Sequence, residues 1–523
     1  MRLLRFADGT LSVFVVFLVI YLLTLTSNFT GPHDSMAYLN MLKTEHGLWH
    51  PHHLLYHVSS KYWLGFWKMV FPSVEDYLII ESFSSVWGAA TLSLVFRFFR
   101  KRFNLPVLTS WLGTAVIGFS YGIWFYSVNV EVYMPALFFT LWSLYILGEK
   151  EWSAKEVWRA SLVHSLAILF HQMNILLVPV LLYKIWSQRK NIYVFKSIFW
   201  YALTGAAVVG GMYFIGGWII EGHNDFSKWF GWIRGYTETN EYWQPLSWKT
   251  PLFAALGFLR TIVGGQFLFR LGDAEENMNA FLKVHALQDE QFLVRNLSTG
   301  MVWTIFILSM LLGVLMLILF IRFIRKFREN MRTSKHVITP LLLYVAIYSF
   351  YFLFWMPEIL EFWLGHCVIF WLLLIGTYKP VGRRLNIISG SIAVLLFVIN
   401  FSSSIRPMQD IKNDIGYARI EKLTHAATAN DLVLVQDPWL LKDFIEYYTK
   451  SHVEAIPKDK QQAQNLHVRI NNALATGNRV FVFPRPGEER EIDNTEFIPA
   501  LKNEFGARMK LFQEGVSTVW VIE

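Results

Sequence analysis

Residues 299–321 read TGMVWTIFILSMLLGVLMLILFI and contain no charged side chain. A transmembrane helix needs about 20 apolar residues to cross the hydrocarbon core of a bilayer, so this segment is long enough. Basic residues crowd the stretch from Arg322 to Lys335 that follows it. Because basic residues are enriched at the cytoplasmic ends of membrane spans, the sequence here predicts a transmembrane helix whose second end faces the cytoplasm.

Similar apolar segments recur in this chain of 523 residues, which is 54% hydrophobic and only 16% charged. They lie at 11–27, 77–97, 106–127, 134–148, 157–171, 172–187, 198–220, 337–355, 363–378 and 385–401. We divide the apolar run at His171-Gln172 because a polar pair in the middle of a membrane is unfavourable. The sequence therefore predicts a polytopic α-helical membrane protein with about eleven transmembrane helices.

The distribution of charge predicts the orientation of these helices. Basic residues gather at alternate ends of the spans, beginning with Arg2 and Arg5, whereas the short turns 128–133 and 356–362 carry none. This asymmetry predicts a cytoplasmic N-terminus and an extracytoplasmic C-terminus. It also accounts for much of the net charge of +8 without nucleic acid as a partner. We expect contact with the lipids of a bacterial or archaeal plasma membrane, or of the endoplasmic reticulum in a eukaryote.

The sequence also predicts two domains. Residues 1–401 are expected to form the transmembrane domain, with long outside loops at 28–76 and 221–298, and residues 402–523 an extracytoplasmic soluble α/β domain. The first loop is expected to contain interfacial helices at Ser35–Thr44 and Leu54–Val70. In the C-terminal domain we expect strands at Asp431–Gln436, Arg479–Phe483 and Val516–Ile522, and helices at Trp439–Thr449 and Asn465–Ala475.

Ionisable side chains lie in several of the outside turns, and such groups at the edge of a membrane bundle are candidates for function. They are Asp34, Glu131, His171, Glu358, Glu361 and His366. Asp34 has a second interpretation, because an Asp directly before a helix can accept hydrogen bonds from the first turn as an N-cap.

Four histidines are spaced as if along one face of a helix, provided that Pro51 does not interrupt it. They are His46, His50, His53 and His57. Imidazole groups at such spacing can bind a divalent metal, with His53 and His57 as candidates. Alternatively, the histidines hydrogen-bond to lipid headgroups.

Three basic residues of the second loop are candidates for binding a phosphate. Arg260 and Arg270 flank an apolar, glycine-containing stretch, and Lys249 precedes them. A guanidinium group matches phosphate with paired hydrogen bonds. The alternative is that these three side chains face solvent or lipid headgroups.

Several of these residues belong to motifs that resemble a known family. Asp34-Ser35 after the first span and His50-Pro51…Tyr56 resemble the D-S-G-E…H-P-P-G-Y-P pattern of multi-pass proteins related to protein O-mannosyltransferases. Glu131-Val-Tyr133 is similar to their A-E-V-Y segment, and His171-Gln-Met-Asn174 to their short polar turn before an L-L-P helix. The likeness runs in order along the first six spans, with departures at Met36-Ala37 and His52-His53.

The resemblance implies a fold, an activity and a set of site residues. These proteins are glycosyltransferases of the GT-C class, so it implies a GT-C-like fold and inverting transfer of a sugar from a polyprenyl-phosphate donor at the outer membrane face. The implied catalytic residues are Asp34, as general base, and Glu131, with Arg260, Arg270 and Lys249 at the donor phosphate. His50, His53, Tyr56, His171 and Glu361 would orient the substrates. The acceptor is a protein, a lipid or a glycan, and a divalent metal is a candidate cofactor.

Two other functions are compatible with the sequence. Ionisable groups in a membrane also mark transport pathways, so a transporter or flippase of a lipid-linked or anionic substrate is one alternative. Transporters are commonly built from inverted repeats, and no internal repeat is visible in this sequence. The other alternative is a non-enzymatic receptor or scaffold that binds its partner through the C-terminal α/β domain.

Overall fold

A computed structural model shows a mostly helical chain with one small sheet near its C-terminus. The structure describes residues 9–235, 242–274, 276–277, 288–436, 440–456, 460–484 and 497–523. Contacts divide the chain into two compact units. The first comprises Met1–Thr26, Glu45–Leu287 and Val294–Gln409, and the second comprises Ser27–Thr44, Gln288–Leu293 and Asp410–Glu523.

The first unit is built from apolar helices. Its main helices are Thr10–Leu23, Tyr56–Val70, Asp76–Arg97, Val107–Gly118, Tyr121–Ser127, Tyr133–Leu147, Ala154–Phe170, Val178–Ser187, Val194–Gly205, Phe226–Arg234, Thr250–Ile262, Thr299–Phe352, Leu364–Gly376 and Arg383–Asn400. Among the described residues, four helical segments are long and apolar enough to cross a membrane. They are Asp76–Arg102, Val194–Ile220, Thr299–Phe352 and Arg383–Met408. The chain is therefore an integral membrane protein.

The predicted number of about eleven spans is not confirmed. A fifth span is present if Val107–Gly118 and Tyr121–Ser127, which are bent by 73° relative to each other, cross together. Several other predicted spans form apolar helices of only 10–17 residues. A further apolar helix of this length, Thr250–Ile262, lies in the segment 221–298, which was predicted to be a loop. Arg2 and Arg5, which contributed to the predicted orientation, lie outside the described residues.

The segment Thr299–Phe352 contains two helices that meet at a kink, so the two predicted spans are both helical, but the basic stretch expected to connect them is helical as well. The first helix continues through the basic stretch to the kink at Ser334, whose backbone leaves helical geometry at φ −129° and ψ 27°. Arg and Lys have high helix propensity, so a run of them after an apolar helix can continue it rather than end it.

The predicted break at His171-Gln172 is confirmed. Helix Ala154–Phe170 ends there, and the short turn Gln172–Leu177 leads into helix Val178–Ser187. The Asn174 amide ends the first helix by donating to the carbonyl oxygens of Ala167 (3.0 Å) and His171 (3.2 Å). Each of these two oxygens also accepts a backbone amide at 3.0 Å, from His171 and Asn174 respectively, so the Asn174 side chain adds a second bond to both.

The second unit contains a five-stranded sheet of order β2-β1-β3-β5-β4. Its strands are β1 Leu432–Val435, β2 His452–Ala455, β3 Val480–Phe483, β4 Met509–Gln513 and β5 Val519–Ile522, and its helices are Ser35–Thr44, Ile415–Ala426, Leu441–Thr449, Lys460–Ala475 and Phe497–Phe505. β1 is parallel to both β2 and β3, whereas β5 is antiparallel to β3 and β4. The α/β character of the C-terminal region is confirmed. Trp439, where one predicted helix begins, lies outside the described residues.

The division into units differs from the predicted boundary between residues 401 and 402, because 27–44 groups with the C-terminal region. Asp414 accepts hydrogen bonds from the backbone amides of Phe29 (2.6 Å) and Thr30 (2.9 Å). Further along, the Asn40 side chain donates to the backbone oxygen of Asp443 at 3.0 Å. These bonds join segments far apart in sequence, which a division by composition along the chain does not detect.

Candidate functional site

Glu361 is the centre of a polar cluster in the first unit. It lies in the short helical turn Leu360–Trp363, and its two carboxylate oxygens accept hydrogen bonds from two tyrosines. The Tyr126 hydroxyl donates to Oε2 at 2.9 Å, and the Tyr133 hydroxyl donates to Oε1 at 2.5 Å. Hydrogen bonds to an ionised carboxylate are shorter and stronger than neutral ones, so this arrangement fixes the carboxylate in place.

Glu131 lies in the connection between the helices that carry these two tyrosines, Tyr121–Ser127 and Tyr133–Leu147. It is almost fully buried, and its Oε2 accepts a hydrogen bond from the adjacent Val132 amide at 3.2 Å. Glu131 also acts electrostatically on Tyr56. Burial, followed by the charge of Glu131, raises the pKa of the Tyr56 hydroxyl, while hydrogen bonding to Ser60 and Ser84 opposes the rise.

A group of histidine rings lies beside this cluster. The rings of His53 and His171 meet edge to face with centroids 4.6 Å apart, and those of His50 and His53 stack at 5.6 Å. The ring centroid of His57 lies 6.5 Å from that of His53. The Tyr133 ring lies 5.6 Å from that of His171 and thereby joins the histidines to the Glu361 carboxylate. We call Glu361, Tyr126, Tyr133, His171 and these histidines the Glu–Tyr–His cluster.

Burial makes the histidines of this cluster weak bases. It lowers the pKa of His50 to about 4, and the pKa values of its neighbour His52 and of His57 to about 3. It also lowers the pKa of His53 well below the ordinary value, and the surrounding imidazoles add to the effect. These rings are therefore neutral at physiological pH. Each neutral ring can donate one hydrogen bond and accept another.

The expected alignment of four histidines on one helix is wrong. Helix Ser35–Thr44 ends before His46, a short turn spans Pro51–His53, and the next helix begins only at Tyr56. Pro51 starts the short turn rather than continuing a helix, because its fixed φ and missing amide suit the first helical position. His46 is exposed, and the structure brings His171 to the other three histidines instead.

The metal site expected at His53 and His57 stays a prediction. Among the described residues, no group of three or more His, Cys, Asp or Glu side chains could hold a metal ion. The lowered pKa values of the neighbouring histidines follow from burial and mutual electrostatics.

The helix that carries Arg260, Thr250–Ile262, packs against the turn that carries Glu361 and against helix Tyr121–Ser127. Gly257 of this helix lies so close to the Pro357 carbonyl oxygen and Trp363 that a β-carbon there would clash. Arg260 is half-buried.

The turn between Arg260 and Arg270 is held by side-chain hydrogen bonds. The Gln266 amide donates to the Tyr121 hydroxyl at 2.8 Å, and the Asn400 side-chain oxygen accepts from the Gly264 amide at 3.2 Å. Arg270 ends this turn with an exposed side chain, and the Lys249 ammonium lies 5.5 Å from the centre of the Trp248 ring. The two arginines thus flank a turn of defined geometry.

Asp34 belongs to the second unit, directly before helix Ser35–Thr44. Its backbone oxygen accepts from the Tyr38 amide at 2.9 Å, and its Oδ2 accepts from the Tyr38 hydroxyl at 3.2 Å. The alternative that this side chain is an N-cap stays a prediction. The residue is exposed, yet nearby protein atoms displace enough water to raise the pKa of its carboxyl. Asp443 adds to this rise, and Tyr38 and His33 oppose it.

The structure brings together, in one region of the first unit, six of the site residues expected from the sequence: Glu131, His50, His53, Tyr56, His171 and Glu361. Tyr126 and Tyr133 were not among the site residues expected from the sequence. The available signal was that both tyrosines border the connection containing Glu131, on either side of a predicted outside turn.

No protein-family model matches the sequence, and no curated protein matches it either. Among solved structures, the chain is similar to the crystal structure of ArnT from Cupriavidus metallidurans in the apo state, with 10% sequence identity, a TM-score of 0.49 and 98% of each chain covered. It is also similar to the crystal structure of ArnT from Cupriavidus metallidurans bound to undecaprenyl phosphate, with 11% identity, a TM-score of 0.49 and 98% of each chain covered.

Proposed function

We propose that this protein is an inverting membrane glycosyltransferase that uses a polyprenyl-phosphate sugar as donor and acts at the outer membrane face. The observation that carries the proposal is the Glu–Tyr–His cluster. Two of the sequence motifs that resemble GT-C glycosyltransferases contribute Tyr133 and His171 to this cluster, whose rings are 5.6 Å apart. Motifs that lie far apart in the sequence therefore contribute neighbouring side chains.

The chemistry of the cluster suits a sugar. Sugar hydroxyl groups both donate and accept hydrogen bonds, and neutral imidazoles and tyrosine hydroxyls do the same. Glu361 can only accept when ionised, and it is already oriented by two tyrosine hydroxyls. The aromatic rings supply apolar faces against which the C–H side of a sugar can pack. Binding sites for small polar molecules commonly combine apolar walls with a few oriented polar groups.

In the proposed reaction, the acceptor hydroxyl oxygen attacks the anomeric carbon while the bond from that carbon to the phosphate oxygen breaks. The hydroxyl proton passes to a carboxylate, and the polyprenyl phosphate leaves with the bonding electron pair. Asp34 is our first candidate for the base, on the strength of the motif it belongs to, and Glu131 is the second. Arg260, Arg270 or Lys249 would stabilise the negative charge on the departing phosphate.

The test measures transfer from an isotopically labelled polyprenyl-phosphate sugar by the purified protein and by Tyr133→Phe. The variant removes a donor to a carboxylate, an interaction worth about 1.5–3 kcal/mol, so we expect kcat/KM to fall by roughly tenfold to a hundredfold. Tyr201→Phe is the matched control, since the Tyr201 hydroxyl hydrogen-bonds to His164 at 2.9 Å, outside the cluster. Equal activities of the two variants would contradict a role for the cluster in the reaction.

A further inference from the structure

Asp414 is a buried carboxylate of the C-terminal domain that receives four hydrogen bonds. Its Oδ2 accepts from the Phe29 amide at 2.6 Å and from the Thr30 amide at 2.9 Å, and its Oδ1 accepts from the Thr30 hydroxyl at 2.6 Å and from the Tyr417 amide at 2.9 Å. Only the last of these bonds is an N-cap of its own helix, Ile415–Ala426. The other three fix a segment that lies 384 or 385 residues earlier in the chain.

The Thr30 hydroxyl uses both its proton and a lone pair in this contact. It donates to Asp414 and accepts from the Gly416 amide at 3.1 Å. A β-carbon at Gly416 would lie 2.7 Å from the Thr30 oxygen, so the glycine allows the two backbones to approach this closely. Because every polar atom at this buried contact is paired, losing one partner would leave another unsatisfied.

Two overlapping backbone hydrogen bonds connect this contact with Asp34. The His33 amide donates to the Thr30 carbonyl oxygen at 3.1 Å, and the Asp34 amide donates to the Pro32 carbonyl oxygen at 2.8 Å. His33 has a left-handed backbone with φ of 67°, which is uncommon for a residue other than glycine. An uncommon backbone conformation of this kind persists where the surrounding contacts fix it. The hydrogen bonds from Phe29 and Thr30 to Asp414 fix the beginning of this turn.

The helix that begins after Asp34 is held by the same domain. The Asn40 amide donates to the Asp443 backbone oxygen at 3.0 Å, and the Lys43 ammonium lies 5.5 Å from the centre of the Tyr447 ring. Phe29 and Phe444 meet edge to face with ring centroids 6.4 Å apart. The C-terminal domain thus contacts the chain on both sides of Asp34.

We infer that Asp414 is a positioning residue for Asp34, so that the C-terminal domain sets the geometry of the carboxylate that we propose as general base. The inference rests on the proposed function for the role of Asp34, but the contact on which it stands is independent of that function. A helix cap alone would need only the bond to Tyr417. The three bonds to Phe29 and Thr30 are what a positioning role requires.

The test uses the full chain, three variants of the contact and one control variant. Asp414→Asn keeps the size of the side chain but replaces one acceptor oxygen with a donor. Thr30→Val removes the hydroxyl, and Thr30→Ser restores it. Asp410→Asn is the matched control, because Asp410 also caps a helical turn, through the Lys412 amide at 3.0 Å, on the same stretch of chain.

We expect Asp414→Asn and Thr30→Val to lower kcat by about tenfold to a hundredfold, the scale of loss that follows from misplacing a reacting group by about 1 Å. KM for the donor should change by less than about twofold, and amide hydrogen exchange in residues 28–40 should become faster. Thr30→Ser and Asp410→Asn should behave like wild type. A merely structural contact would lower the amount of folded protein without changing kcat per folded molecule.

The inference is overturned if folded Thr30→Val keeps the wild-type kcat, if Thr30→Ser loses as much as Thr30→Val, or if exchange in 28–40 is unchanged. Should Asp414→Asn fail to fold, the Thr30 pair decides. If the wild-type protein transfers no sugar, the proposed function fails, while hydrogen exchange still decides whether Asp414 holds the segment that carries Asp34.

Discussion

At the scale of single residues, Asp34 and Glu131 are the two carboxylates proposed to take a proton from the acceptor. We expect Asp34→Asn to leave folding and donor affinity near wild type, because the Asn side chain has the same shape and still accepts the Tyr38 hydrogen bond. Transfer should fall by about 10²–10⁴-fold, the usual contribution of general acid–base catalysis. The measurement is kcat of the purified variant beside Glu131→Gln. If Asp34→Asn transfers sugar at the wild-type rate, Asp34 is not the base and Glu131 becomes the first candidate.

Asp443 provides a second test at the same scale, through pH. Burial raises the pKa of Asp34, Tyr38 and His33 oppose the rise, and the charge of Asp443 adds to it. Asp443→Asn should therefore lower the pKa of Asp34, so that the base stays ionised in more acidic solution. The acidic limb of the pH profile of kcat/KM should move to lower pH. Glu446→Gln, on the same helix but paired with Lys442 at 3.6 Å, is the control and should leave the limb unmoved. A limb that does not move in Asp443→Asn would show that another group controls it.

At the scale of elements, the buried histidines of the short turn and the following helix predict how stability depends on pH. Below pH 6.5 the unfolded chain protonates its histidines, whereas His50, His52 and His57 in the fold have pKa values of about 3 to 4. The unfolded chain then binds more protons, so the free energy of unfolding decreases as pH falls from 6.5 towards about 4. Each buried histidine contributes about 1.4 kcal/mol per pH unit once its unfolded form is fully protonated.

The check is the thermal midpoint of the detergent-purified protein between pH 4.5 and about 7. His52→Gln should weaken the dependence on pH, because it removes one of these histidines. His46→Gln removes an exposed histidine and should leave the dependence as in wild type. An identical pH dependence in wild type and His52→Gln would contradict a buried, neutral His52.

Local sequence patterns predicted the elements better than they predicted their contacts. Helix Ser35–Thr44 and the break at His171 follow from apolar periodicity and from the unfavourable energy of polar groups in a membrane. β2 was missed because His452 and Glu454 make it look like a polar connection, although Val453 is buried. The bonds from Tyr126 to Glu361 and from Thr30 to Asp414 span 235 and 384 residues, and no local pattern encodes such pairs.

At the scale of the whole molecule, each compact unit is formed from several separate stretches of the chain. Residues 27–44 follow helix Thr10–Leu23 and group with residues 410–523, although residues 402–523 were expected to form a separate domain. The sequence predicted that one part of the chain is apolar and helical and that the other is an α/β domain. It could not predict this exchange, because the deciding groups are single polar side chains such as Asp414 and Asn40.

The proposed orientation, with about eleven spans and residues 402–523 outside, is tested by labelling single cysteines in a Cys367→Ser background. Cys367 is buried and is the one cysteine of the chain. Ser187 and Lys422 are exposed, whereas Ser403 is buried and would label poorly from either side. We expect Lys422→Cys to react with a membrane-impermeant maleimide from outside and Ser187→Cys to react only after the membrane is opened. The reverse pattern would contradict the orientation inferred from the basic residues.

The proposed activity is transfer of a sugar from a polyprenyl phosphate. The most direct measurement incubates the purified wild-type protein in detergent with isotopically labelled polyprenyl-phosphate sugars and a mixture of candidate acceptors, and follows the label. We expect the label to leave the lipid and appear in an acceptor with no membrane gradient present, and Asp34→Asn to slow this release by about 10²-fold or more. If the donor binds the protein but remains intact with every acceptor, the protein is not a glycosyltransferase, and a transporter or a receptor is favoured instead.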